Sequence, residues 1–177
     1  MGNKKIIGIT GSALILVLAL MFWYANSNYN NAQLSVKYYK EPDSKVMIRD
    51  DNSELFKVTA DAFYRKNYAR AIDIGLNVPP EMKNRWDAQL LVAHSFLKTS
   101  QIPEALEVFT FIIEKGDGRW DENAAYHRLL THVQAGNEAQ IDHFSDEILQ
   151  NSSGEYASEV MALRKDLSSF WRKLVFK

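Results

Sequence analysis

The sequence predicts an all-α protein: a short α-solenoid of about three helical hairpins with a capping helix at its end, preceded by an N-terminal transmembrane helix. Three observations carry this. Ala71 and Ala105 stand 34 positions apart, and the same shift lays Val58 on Val92, Thr59 on Ala93, Phe63 on Leu97, Tyr68 on Ile102 and Ile72 on Leu106. A fixed period of roughly 20–50 residues marks stacked supersecondary units. Ile6 to Tyr24 is an uncharged, mostly apolar run. Near the carboxy end, Val160, Leu163, Leu167, Phe170 and Leu174 recur at three- and four-residue steps as one apolar stripe.

Composition sets the bounds. The 177 residues have room for one domain plus extras, and 46% hydrophobic with 24% charged residues is ordinary for a globular chain. A formal charge of −1 gives no electrostatic footprint for nucleic acid. There are no cysteines, which excludes disulfides, thiolate catalysis, a cysteine zinc site and a lipidated cysteine.

Residues 1–5 are a short basic flank and residues 6–24 the transmembrane helix. The run interrupts its apolar residues only with Gly8, Thr10, Gly11 and Ser12. About 20 such residues cross ~30 Å of hydrocarbon. Phe22, Trp23 and Tyr24 close it, as an aromatic belt does at an interface. A cleaved signal peptide is the competing possibility, with Ala25-Asn26-Ser27 as a small-x-small site. The length of the run and its bulky aromatic end favour an uncleaved anchor. Lys4 and Lys5 precede the run, whereas Lys37 and Lys40 follow it. A very short basic flank is expected to stay in the cytoplasm, which puts the remainder outside it. Met1-Gly2 is no myristoylation start, because position 6 is Ile.

Residues 25–52 form a linker with an extended segment. Asn26 to Asn31 is amide-rich and offers no periodic apolar face. Fully extended, such a linker reaches up to about 90 Å at ~3.3 Å per residue. Val36 to Lys40 and Val46-Met47-Ile48 are β-prone runs flanking Pro42. They suit an extended segment lying on the first helices, or a strap that binds or occludes a groove.

Residues 53–154 hold the units. Asn52-Ser53 can cap the first helix, with Glu54 in its first turn. Leu55, Val58, Ala62 and Phe63 give its stripe, Lys66-Asn67 the turn, and Tyr68, Ala71, Ile72 and Leu76 the second helix. That helix stops by Val78, ahead of Pro79 and Pro80. In the second unit Pro80 suits the first turn of a helix carrying Trp86, Leu90, Ala93, Phe96 and Leu97. After Thr99-Ser100-Gln101, Ala105, Val108, Phe109 and Ile112 follow, and Gly116 is expected at the residue past the helix end. Small side chains at Ala93 and Ala105 let the two helices approach, with Phe96 and Phe109 filling the space around them. Asp121 can cap the third unit, whose first helix carries Ala125, Leu129, Leu130 and Val133. Gly136-Asn137 takes the turn slot at a shift of 36, and Ile141 takes the alanine position. Residues 155–177 are the capping helix, since an open solenoid end needs one. Its basic, aromatic end, Phe170 to Lys177, suits a solvated edge or a membrane surface.

Val92, Ala93, Phe96, Ala105 and Phe109 at this period resemble the tetratricopeptide family over about 100 residues. Gly75 departs from its pattern, since a bulky aromatic is expected there, and Ile141 departs in place of alanine. The layout also resembles single-span, membrane-anchored tetratricopeptide proteins of Bacteroidota. In these an aromatic-lysine-proline segment precedes the repeats, and the counterpart here is Tyr38-Tyr39-Lys40-Glu41-Pro42. The resemblance implies a right-handed α-solenoid of about three tetratricopeptide-like hairpins that binds a protein or peptide partner along its concave face. Groove positions carried over are Phe56, Phe63 and Tyr64, then His94 and Lys98, then Tyr126 and Gln134. Several of these, Phe56 and Phe63 above all, could equally be packing residues. The lysine–asparagine clamp of some members is absent.

No chemistry is expected: no catalytic residue, cofactor or metal site. His127 and His132 are five apart rather than the four of a helical metal pair, and no nucleophile elbow or P-loop occurs. The expected function is a membrane-tethered interaction scaffold of the cell envelope, single-pass in a bacterial inner membrane with its repeats in the periplasm. Two alternatives are a chaperone-like accessory of protein export and a regulatory subunit in envelope signalling.

Overall fold

The computed structural model describes residues 3–44, 53–151 and 154–175, with residues 3–12 given by their backbone alone. These residues form ten helices and no strand: α1 (Asn3–Tyr29), α2 (Asn31–Tyr38), α3 (Glu54–Tyr64), α4 (Tyr68–Leu76), α5 (Arg85–Lys98), α6 (Ile102–Lys115), α7 (Asp121–Ala135), α8 (Glu138–Asn151), α9 (Ala157–Leu167) and α10 (Phe170–Val175). From α3 to α9 each helix packs on the next, and the first helices of neighbouring pairs (α3 with α5, α5 with α7) also touch. This all-helical order is consistent with an α-solenoid.

The turns inside the three pairs share one geometry. Lys66, Ser100 and Gly136 have φ of 62°, 59° and 73°, the left-handed conformation that ends a helix. In each, the turn residue's N–H donates three residues back: Lys66 to Phe63, Ser100 to Leu97, Gly136 to Val133. The next N–H donates five back: Asn67 to Ala62, Gln101 to Phe96, Asn137 to His132. The residue after that turn accepts from Ala71, Ala105 and Ile141 respectively, which are the positions the spacing lined up. The shifts of 34 and 36 are thus written into the backbone, although two of the three left-handed residues are not glycine.

Gly75 is explained by packing. A Cβ there would lie 2.4 Å from Val92 Cγ2 and 3.1 Å from Thr59 Cγ2, so the missing side chain is what lets α4 approach α5 and α3. Ala71, Ala93 and Ala105 are fully buried, with Phe109 buried beside them.

Several expected boundaries move. α1 continues through the amide-rich stretch to Tyr29, because asparagine side chains bond back to the preceding turn: Asn28 Nδ2 donates to the Tyr24 carbonyl at 2.8 Å. The β-prone Val36 to Lys40 stretch is helical up to Tyr38, where Asn30 caps α2 by accepting from the Gln33 N–H. α4 ends at Leu76, two residues short of Val78. Pro80 sits in turns ahead of α5 and not in its first turn. Gly116 does follow the last residue of α6, with an extended φ of −68° in place of the left-handed one common at helix ends. Trp120, not Asp121, precedes α7. The single carboxy-terminal helix is broken at Ser168–Ser169 into α9 and α10. Asn52 and the run Val46-Met47-Ile48 lie outside the described residues.

Two buried clusters result. One gathers Phe56, Phe63, Leu90, Leu91, Val92, Phe109 and Ile112 from α3 to α6. The other joins Tyr126, Leu129, Leu130 and Val133 of α7 to Ile141 and Ile148 of α8, Tyr156, and Val160 and Leu163 of α9, with Leu34 of α2 among them. α1 packs chiefly against the end of the fold, at α2 and α10. Among the residues whose side chains are described, which begin at 13, no helix is long and apolar enough to cross a membrane.

Candidate functional site

After α2 the chain leaves helical geometry at Tyr39, whose φ of −64° and ψ of 129° are extended. The segment from Tyr39 to Asp43 has no regular structure, and it runs along the row of first helices. Its backbone is read at every second residue. Tyr126 Oη donates to the Tyr38 carbonyl at 2.7 Å, His127 Nε2 lies 2.8 Å from the Lys40 carbonyl, and Tyr64 Oη donates to the Pro42 carbonyl at 2.9 Å. In an extended chain alternate carbonyls face one way, which accounts for Lys40 and Pro42; the Tyr38 carbonyl, at the end of α2, is held beside them.

Between those carbonyls, Tyr39 is inserted among α5 and α7. Its ring stands edge-on to His94 and His127, with centroids 5.5 and 5.4 Å away, and the Lys98 ammonium lies 3.2 Å from its centroid. The Tyr39 hydroxyl lies 3.0 Å from His94 Nδ1, and His94 Nε2 lies 3.1 Å from Asn123 Oδ1. Asn123 Nδ2 donates onward to the Tyr156 hydroxyl. We assign His94 as the Nε2–H tautomer, since Asn123 Oδ1 can only accept and Tyr39 can then donate to Nδ1. The two imidazoles lie with centroids 4.2 Å apart and both are fully buried. Burial, and for His94 the neighbouring His127, holds both below the ordinary histidine range, His127 at about 4. His127 Nδ1 faces the Asn123 carbonyl one turn back and Nε2 faces the Lys40 carbonyl, so the neutral ring can donate to only one of the two.

The flanks are ionic. Lys37 and the Tyr38 hydroxyl both reach the Asp166 carboxylate of α9, and the Lys40 ammonium pairs with Glu159. Burial first, then the bond to Asp166, pushes the Tyr38 phenol up to about 12. The hydrogen bond from Lys40 holds the Glu159 carboxyl below its usual range. Gln134 of α7 accepts from Ser35 Oγ of α2 and donates to Ser100 Oγ in the second turn.

Of the seven groove positions carried over from the resemblance, Tyr64, His94, Lys98, Tyr126 and Gln134 meet α2 or the strap directly. Phe56 is fully buried in the first cluster, and Phe63 lies behind His94, with centroids 6.2 Å apart. His127, weighed in the sequence only as a metal ligand, completes the site with Asn123, Tyr156, Glu159 and Asp166, which were not singled out. Asn123 and His127 fall where the period slips from 34 to 36, so no repeat position marks them. A polar pair four apart on the otherwise apolar face of α7 was the available clue. Among the described residues no three histidine or acidic side chains are placed to hold a metal ion. No family model, curated protein or solved structure matches the chain.

Proposed function

We propose that the chain is a membrane-tethered interaction scaffold of the cell envelope, a tetratricopeptide-like solenoid whose groove recognises extended peptide. The observation that carries this is the alternate-carbonyl grip on Tyr38, Lys40 and Pro42. Those contacts read backbone, so any extended segment with an aromatic residue between the held carbonyls has the right shape. In this chain the resident occupant is the chain's own strap, and an outside partner competes with it. The effective concentration of a tethered segment is in the millimolar range, which makes the strap a strong competitor.

Tethering rests on α1. Its apolar side chains from Leu14 to Tyr24 stand exposed on all sides of the helix, for example Ile15 at 70% and Trp23 at 66%. A helix apolar all round belongs in lipid or in a protein core, and no core surrounds this one. With Lys4 and Lys5 on the cytoplasmic side, α2 and the repeats lie in the periplasm.

The groove is tested with a fluorescent peptide spanning residues 36–44, added to the unaltered chain and to Tyr39→Ala. Loosening the strap should let the peptide bind at least tenfold more tightly to the variant. Equal, undetectable binding to both would remove the peptide-groove proposal. The tether is tested separately, by protease added to spheroplasts. Digestion of the repeats is expected, and protection until lysis would place them in the cytoplasm.

A further inference from the structure

The apolar stripe of the last helix does not stay in the core. Val160 and Leu163 are fully buried, but after the break at Ser168–Ser169 Phe170 is 60% exposed and Leu174 38%. The turn is held by Arg172, which is itself 4% exposed. Its guanidinium donates to the Tyr29 carbonyl at 3.3 Å and to Asn31 Oδ1 at 2.8 Å, and pairs with Glu138 at 3.7 Å. That grip binds α10 to the junction of α1 and α2. It also lays Trp171 edge-on against Tyr24 of α1, with centroids 4.9 Å apart.

This contact transfers depth from one helix to the other. Tyr24 ends the Phe22-Trp23-Tyr24 group, whose residues are 55%, 66% and 44% exposed. A ring touching Tyr24 lies at the height of Tyr24. We infer that α10 is an interfacial helix: Phe170, Trp171 and Leu174 enter the headgroup region of the same bilayer face from which α1 emerges, with Lys173 directed to lipid phosphates. This rests on reading α1 as a membrane helix. Tyr29 lies five residues past Tyr24, or ~7.5 Å along the axis at 1.5 Å per residue. Arg172 therefore sits just above the interface, and the repeat domain is docked on the membrane surface instead of swinging on a long linker. Amphipathic aromatic and basic residues in this arrangement are those that favour an interface.

The test uses the full chain in phosphatidylcholine–phosphatidylglycerol vesicles containing brominated phosphatidylcholine, which quenches tryptophan only on contact. Of the four tryptophans, Trp86 and Trp120 lie in or beside the repeats. Quenching should fall by about half in Trp171→Phe and by about half in Trp23→Phe, both conservative for the ring. Full quenching in Trp171→Phe, with loss of all of it in Trp23→Phe, would leave the anchor standing and overturn the interfacial helix. Loss confined to Trp171→Phe would support α10 at the membrane and sink the anchor. No quenching in the unaltered chain overturns both.

Discussion

The cluster of α3 to α6 is completed by those helices with Val78 and Ala124 added, whereas the cluster around α7 to α9 takes in Leu34, fully buried, from the segment that follows α1. The buried cluster of the first half therefore takes no fully buried side chain from α2, although Tyr39 of the strap packs against it. The second half borrows a side chain from a segment about 90 positions away in sequence. A Cβ on Gly136 would come within 2.6 Å of Asn31 Nδ2, so even the turn of the third pair is shaped to receive α2. What the difference teaches is that α2 and the strap are structural parts of the domain, so that the proposed anchor and the proposed groove occupant share one continuous segment.

The comparison can be broken most severely from the carboxy end. Tyr156, Val160 and Leu163 belong to the second cluster only. Deleting residues 154–177 removes their burial, on the order of 5–10 kcal/mol before chain entropy is subtracted. That approaches the whole stability of a small domain, so the truncated chain should aggregate on size exclusion. A monomer with an unchanged melting temperature would mean that α9 is no cap. Arg172 sharpens the same point. Trimming residues 172–177 takes only the half-exposed Leu174 from the stripe, yet Arg172 bonds α1 and α2, and its loss should loosen both.

Leu34→Ala is the direct probe of the borrowed side chain. A fully buried leucine truncated to alanine costs ~2–5 kcal/mol. Hydrogen exchange should accelerate in α7 to α9 while α3 to α6 keep their protection. Uniform acceleration across all pairs would show that the two clusters are not separable.

Acid should act on the seam between the halves. His94 on α5 and His127 on α7 are neutral in the folded chain, below the ordinary range, while in the unfolded chain they titrate near ~6.5. The unfolded state then binds more protons as pH falls below ~6.5, so stability is full above that value and is lost on descent toward about 4, where folded His127 protonates. Lys98 and Lys40 lie nearby and worsen the imidazolium; Glu41 and Glu159 are the acids around the strap. At ~1.4 kcal/mol per pKa unit the His127 contribution is roughly 3 kcal/mol. His127→Gln should flatten a pH series of urea melts between ~6.5 and ~4.5, and an unchanged slope would contradict the assignment.

The smallest effects lie in the first half. Ala105→Trp overpacks the fully buried contact of α5 and α6 at ~1–3 kcal/mol. Gly75→Ala must push Val92 aside, a cost partly offset by ~1 kcal/mol of helix propensity, so a net loss near ~1 kcal/mol is expected. Gln101→Ala, in an exposed turn, should lie within ~0.5 kcal/mol. Three equal values in urea melts would count against the spacing of 34.

That spacing made the first half legible. Alanines at 71 and 105 and turns at Lys66 and Ser100 are local repeats, and local repeats show in a sequence. The strap contacts are not local: Tyr39 meets His94, and Tyr38 meets Tyr126. The pattern pointed to Tyr64, His94, Lys98, Tyr126 and Gln134 through family positions, but nothing in the spacing says that the occupant is Tyr39. The helical α2 was hidden by β-branched Val36 and the tyrosines around it, whose preference loses to the cap at Asn30 and to the burial of Leu34. The end of the capping helix was hidden because Phe170 and Leu174 keep the period that Arg172 overrides.

The central claim is that the strap lies in the groove of its own chain. Lys37 and Lys40 are half exposed and each touches a carboxylate, Asp166 and Glu159. A carbodiimide joins such pairs with no spacer, and no variant is needed. Mass spectrometry of the full chain, mixed from light and heavy isotope preparations, should find Lys37–Asp166 and Lys40–Glu159 joined within single chains. If these links are absent, or occur only between light and heavy chains, the strap is not a cis occupant and the account fails.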